Sequence, residues 1–96
     1  MGSTVNVRLL GVFRKALGKE SLQVKVERPS PVIHLILKVA EFSPELKRVL
    51  IDPELGDPRP NALILINGRE ISALDGLETL IRGGDEVVLI PVTHGG

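Results

Sequence analysis

The chain ends Pro91-Val92-Thr93-His94-Gly95-Gly96, and its last two residues carry no side chains. The only reactive group such an end offers is the α-carboxylate of Gly96. Glycine lets a backbone approach another surface closely. Gly95 and Gly96 therefore read as a thin, flexible lead that enters a narrow site carboxylate first. Thr93 and His94 extend that lead, with His94 a spacer rather than a catalyst. No other residues compete as a chemical centre. The chain has no cysteine, which excludes disulfides, thiolate catalysis and Cys-ligated metals. No His, Asp or Glu cluster has metal-ligand spacing on one element, so no metal is expected. Gly83-Gly84-Asp85 lacks the Lys-Ser/Thr and the helix of a phosphate loop, and reads as a turn. His34 reads as a partly exposed structural residue. With no nucleophile–base pair or carboxylate dyad, the chain is not expected to be an enzyme or to bind a cofactor of its own.

Such a tail needs a rigid mount, and the pattern of the preceding residues supplies one. Val5-Asn6-Val7-Arg8-Leu9 and Leu22-Gln23-Val24-Lys25-Val26-Glu27 alternate apolar and polar, the mark of half-buried strands. Between them, Val12 to Leu17 is a connector with a possible helical turn, closed by Gly18. The pair reads as an antiparallel hairpin with a wide loop. Ser30-Pro31 supplies a helix N-cap and first-turn proline. The apolar stripe that follows to Phe42 uses Val32, Ile36, Val39 and Ala40, widened by Ile33, Leu35, Leu37 and Phe42. Ser43-Pro44 repeats the signal for a shorter helix to about Leu50. The proline-rich segment from Asp52 to Pro60 must be an exposed loop.

Ala62 to Ile66 is continuously apolar, as in an inner strand. Asn67-Gly68 is a strong hairpin turn, since both residues tolerate positive φ, and Arg69-Glu70-Ile71 begins the return strand. Gly83-Gly84-Asp85 turns the chain into a last strand, Glu86 to Ile90, and Pro91 is expected to stop its pairing. The order β-β-α-(α)-β-β-β gives an α+β domain with one main helix across a mixed sheet. A β-grasp topology fits, with the first and last strands parallel at the centre. Met1-Gly2-Ser3 reads as a start followed by cloning-derived residues, 4–90 as the domain and 91–96 as a flexible tail.

Composition limits the function class. Lys+Arg and Asp+Glu are 12 each, so bulk electrostatic binding to nucleic acid is not expected. No stretch is apolar for long enough to cross a membrane, and none resembles a signal peptide. A soluble cytoplasmic protein is the expectation. Phe13 and Phe42 are the only aromatics, so the core must be built from Val, Ile and Leu.

Leu63-Ile64-Leu65-Ile66-Asn67-Gly68, then Leu77, Gly83-Gly84-Asp85-Glu86-Val87 and the closing Ile90 to Gly96 resemble the ubiquitin-like sulfur carriers of the MoaD and ThiS type. The chain is also similar to ubiquitin-related modifiers that end in His-Gly-Gly. The resemblance runs from Val5 to Gly96 and is most specific in the last third. It implies that an E1-like enzyme uses ATP and Mg²⁺ to adenylate the Gly96 carboxylate, and that sulfur transfer then yields a thiocarboxylate. A carboxylate is a poor electrophile, and adenylation gives it a good leaving group. The sulfur would go to a molybdopterin precursor, with this chain as the small subunit of a molybdopterin synthase and the large subunit as its partner. The alternative is a modifier serving a tRNA-thiolating enzyme or conjugated to lysines of target proteins. Molybdopterin-type members often carry aromatics where this chain has Leu10 and Ile90, and a second proline beside the position of Pro91. His94 resembles the modifier type and Val92-Thr93 the molybdopterin type.

Ubiquitin-like domains dock through an exposed apolar sheet patch. Two faces of a central strand cannot both pack on one helix, so Leu10, Val88 or Leu89, Ile90 and Pro91 are the candidates. The competing reading is that the second helix and long loop cover that face. Arg8, Arg14, Arg69 and Arg82 read as solvated charge more readily than as a docking face. Lys15, Lys19, Lys25, Lys38 and Lys47 are possible self-conjugation sites that nothing in the sequence ranks. A plain binding module with an incidental tail is the third reading.

Overall fold

The computed structural model describes residues 3–92. Strand β1 (Thr4–Leu9) puts Val5, Val7 and Leu9 into the core, each with no exposed surface. It pairs antiparallel with β2 (Ser21–Lys25), which buries Leu22 and Val24. The connector between them is a seven-residue helix, α1 (Gly11–Leu17), where only a possible turn was expected. Its sole buried side chain is Phe13, too little for a readable stripe. It stops at Gly18, whose φ of 84° is left-handed and whose N–H donates to the Arg14 carbonyl at 2.9 Å.

The main helix, α2 (Val32–Ala40), buries Val32, Leu35, Ile36, Val39 and Ala40. Leu37 and Phe42, expected to widen that stripe, are exposed, and His34 is exposed as well. The Ser30 cap does not form. Ser30 and Pro31 instead make a two-residue strand, β3, paired with β6 (Leu80–Ile81). The Val32 N–H is satisfied by the Thr79 carbonyl at 2.8 Å, so tertiary pairing replaces local capping. At α3 (Pro44–Leu50) the cap is the expected one: Ser43 Oγ accepts from the Leu46 N–H at 3.2 Å.

Strand β4 (Ala62–Ile66) turns through Asn67 and Gly68, at φ 50° and 85°, into β5 (Arg69–Glu70). Two 3-10 turns, Ile71–Ala73 and Gly76–Glu78, lead to β6 and then to β7 (Glu86–Pro91). The main sheet has the order β2-β1-β7-β4-β5. First and last strands are parallel neighbours, and β7 is antiparallel to β4 on its other side. This is the expected β-grasp arrangement. Phe13, Leu46, Leu50 and the buried face of α2 pack against the inward residues of β1, β7 and β4 in one core. All three helices thus lie on one side, and the other side of the sheet is left open.

Candidate functional site

The site is the far end of β7, where the described chain approaches its last residues. The strand begins in a polar clamp. Asn67 Oδ1 accepts from the Glu86 N–H at 2.9 Å, and Asn67 Nδ2 donates to Asp85 Oδ1 at 3.1 Å. The other Asp85 oxygen accepts from the Arg82 N–H at 2.9 Å. These bonds fix where the Gly83-Gly84-Asp85 turn ends and the strand starts.

The other end is held by backbone and packing. The Leu10 N–H donates to the Leu89 carbonyl at 3.1 Å, and the Val92 N–H to the Asn61 carbonyl at 3.0 Å. Pro91 therefore does not stop the pairing: it lies within β7 opposite Ala62. The reason is the alternation of backbone groups. Leu89 faces its polar groups toward β1 while Val92 faces β4, so the nitrogen of Pro91 points to the β1 side. There β1 has already ended at Leu9, and no ladder hydrogen bond is lost to the missing N–H. The ring of Pro91 instead sits over Gly11. A methyl group on Gly11 would come within 2.8 Å of Pro91 Cγ, so only glycine fits there. The strand is held through Val92. Thr93, His94, Gly95 and Gly96 lie outside the described residues, as do Met1 and Gly2.

The ladder register sorts the open face into rows. Gln23, Asn6 and Glu86 form a polar row, joined by Gln23 Nε2 donating to Asn6 Oδ1 at 2.8 Å. Next come Ser21, Arg8, Val88, Leu65 and Glu70. Nearest the tail, Ile90 lies opposite Leu63, with Leu10 extending β1 beside it. The face becomes apolar toward the end of β7. Leu63 and Val92 are each 41% exposed, and Ile90, Leu65 and Leu10 are half-buried. A groove of about 260 Å³ beside β4 is lined by Arg59, Leu63, Ile71, Ser72 and Val92.

Of the residues expected to dock a partner, Leu10 and Ile90 lie on this face. Val88 lies there too but is only 8% exposed, shielded between the strands of Arg8 and Leu65. Leu89 is a correction: it is 0% exposed and faces the helices, so it has no surface to offer. Pro91 is half-buried on the inner side over Gly11. Leu63, Leu65 and Val92 lie on the same face, a placement the sequence does not point to. Ala62 to Ile66 is apolar at every position, so its alternation is invisible until a one-sided helix layer forces every second residue outward. Helix α3 does not cover this face, because Leu46 and Leu50 belong to the core on the opposite side. The four arginines do not share a face: Arg14 is on α1, paired with Glu20 at 3.4 Å, while Arg8 stands on the open sheet.

Two carboxyls have shifted titrations. The hydrogen bond from the Arg59 side chain holds Asp57 below its ordinary range, and that from the Ser72 hydroxyl does the same for Glu70. Both are structural, since Asp57 orders the loop before β4 and Glu70 caps a 3-10 turn. Among the described residues there is no group of His, Asp or Glu placed to hold a metal, and no helix long and apolar enough to cross a membrane.

The chain as a whole, this strand included, matches known proteins. The family model described as the ThiS family matches residues 7–96. The chain belongs to the ThiS family. Small archaeal modifier protein 3 of Haloferax volcanii is 30% identical over 93 residues, 96% of this chain and 98% of that protein. The solution structure of small archaeal modifier protein 1 from Methanosarcina acetivorans is 34% identical, with a TM-score of 0.80 over 98% of this chain and 97% of that one. The crystal structure of the BexX/CysO complex of Amycolatopsis orientalis matches at 22% identity and a TM-score of 0.74, covering 96% of this chain and 99% of that one. That last likeness is one of fold. The chain is thus one of the ubiquitin-like sulfur carriers and modifiers.

Proposed function

We propose that the chain is a sulfur carrier activated at the carboxylate of Gly96. The observation that supports this reading is the mount: β7 is paired on both sides, its ladder runs through Pro91, and Val92 is still bonded to Asn61. Thr93 to Gly96 follow in the sequence. A carboxylate oxygen of Gly96 attacks the α-phosphorus of ATP on an E1-like enzyme, which holds the ATP and Mg²⁺, and pyrophosphate leaves. Hydrosulfide then attacks the carbonyl carbon of the acyl-adenylate, the C–O bond to AMP breaks, AMP leaves, and loss of the sulfur-bound proton gives a thiocarboxylate. The chain supplies no acid, base or metal ligand; it supplies the acyl group and a surface. Leu10, Ile90, Leu63 and Val92 on the open face seat the enzyme, while Gly95, His94 and Thr93 give the carboxylate its reach. The sulfur goes to a molybdopterin precursor, with the large subunit of a molybdopterin synthase as the second partner.

A second reading is conjugation of Gly96 to lysines of target proteins, or service to a tRNA-thiolating enzyme. The names of the two relatives at 30% and 34% identity, both small archaeal modifiers, favour it. Incubation with the cognate activating enzyme and ATP separates these from an inert module. Pyrophosphate release that needs the chain, and stops when Gly96 is deleted, supports activation. Release that continues without Gly96 rejects it. In cell extract, higher-mass adducts that vanish with Gly96 mark the modifier, and their absence leaves the carrier.

A further inference from the structure

Among the described residues, the unpaired cation of the open face that stands nearest its apolar end is Arg8; Lys25, also on this face, lies two rows farther from that end. Arg8 stands on β1, between Ser21 on one side and Val88 on the other, and it is exposed. Among the described residues it makes no ion pair and no side-chain hydrogen bond. The carboxylates of this face are occupied elsewhere. Glu86 accepts from Asn6 Nδ2 at 3.5 Å. Glu70 accepts from the Ser72 N–H at 3.1 Å and from its hydroxyl, which turns it onto its own 3-10 turn. The guanidinium thus stands exposed one row behind the apolar row of Leu10, Ile90 and Leu63.

We infer that Arg8 is the specificity residue of this face, and that it takes a carboxylate from the activating enzyme; the inference rests on the sulfur-carrier reading above. When a partner covers Ile90, Leu63 and Val92, it also strips water from the neighbouring row. A guanidinium left there unpaired carries an uncompensated desolvation cost, so a purely apolar partner surface is rejected. A partner with an Asp or Glu beside its apolar contacts regains that loss through a charge-assisted hydrogen bond, bidentate if the fork is met squarely. Geometry fixes the spacing. Adjacent rows lie two residues apart, ~7 Å along the strand, and adjacent strands ~4.8 Å apart. The carboxylate must therefore sit roughly 8 Å from the residue that contacts Ile90 and roughly 12 Å from the one that contacts Leu63. Because the cation lies on one side of β7 only, it also decides which way round the enzyme lies on the face, and so where it receives the tail.

The test is steady-state activation of the full chain by its adenylating enzyme, followed by ATP–pyrophosphate exchange. Arg8→Ala is expected to raise the KM for the carrier on the order of tenfold with kcat held. Arg8→Glu is expected to raise it further, and Arg8→Lys to fall between Ala and wild type. The salt dependence of kcat/KM should flatten in Arg8→Ala. Thermal melts of all three should stay close to wild type, since the Arg8 side chain is exposed and makes no ion pair or side-chain hydrogen bond among the described residues. A carboxylate-to-lysine change on the enzyme that restores Arg8→Glu would identify the partner group. Unchanged KM in Arg8→Glu, with wild type activated normally, overturns the inference while leaving the carrier reading intact. Arg8-dependent pairing of two copies of the chain without enzyme also overturns it. If wild type itself is not activated, the carrier reading fails, and this inference with it.

Discussion

The two faces of β7 are built from the same kinds of residue and do opposite work. On the inner face Val87 and Leu89 have no exposed surface and pack among the residues of the helices and neighbouring strands. On the outer face Val88 and Ile90 have only strands beside them, and Leu63 and Val92 complete an apolar end. Helices cover one side of the sheet, so alternation along a single strand divides core residues from those left at the surface, where the proposed function places recognition. In the proposed function, the strand that holds the fold together is thereby also the one that leads into the tail. Neither role can be assigned from residue type, because Val, Leu and Ile serve in both.

Truncating each face in turn should separate the roles most widely. Leu89→Ala leaves a cavity at the centre and should cost about 2–5 kcal/mol in denaturant unfolding, a large share of a small domain's stability. Leu63→Ala should stay within about 0.5 kcal/mol, yet weaken activation of the chain. Equal losses of stability at both positions would end the division. Gly11→Ala sharpens the comparison at the inner end of the strand. It places a side-chain-bearing residue at φ 54° and a methyl against Pro91, and should cost about 1–2 kcal/mol for the backbone alone. If its melting point matches wild type, Pro91 is not held as described.

The smallest effect lies off both faces. Asp57 is held ionised by Arg59, whose side chain reaches both carboxylate oxygens. Because the folded state lowers its titration, the stabilisation is present above the ordinary carboxylate range. It is lost as pH falls through the folded value. Arg59→Ala should therefore shallow the decline of stability on acidification without removing it, since Glu70 is lowered independently by Ser72. Arg59 is largely exposed, so the change should be slight. An acid limb identical to wild type would show that the pair contributes nothing.

Much of this was legible in the residues. Clean alternation in β1 and β2, the Asn67-Gly68 turn and the Ser43-Pro44 cap each gave the right element, because each is decided locally. What was not legible was decided at a distance. Ser30 has the chemistry of a cap but spends its backbone on Ile81, and α1 buries too little to show a stripe. Pro91 reads as a terminator, and only the early end of β1 makes its missing N–H harmless. The choice between Val88 and Leu89 needed the position of the helices, which no pattern within the strand reveals.

The central claim is that β7 exists to present the carboxylate of Gly96 for activation. The direct measurement is the intact mass of the full chain after incubation with its activating enzyme, ATP and a sulfur donor, with fragmentation to locate any change. Replacement of one oxygen by one sulfur at Gly96, lost on omission of ATP, is the predicted result. An unchanged C-terminal mass under conditions where the enzyme activates another carrier would contradict it.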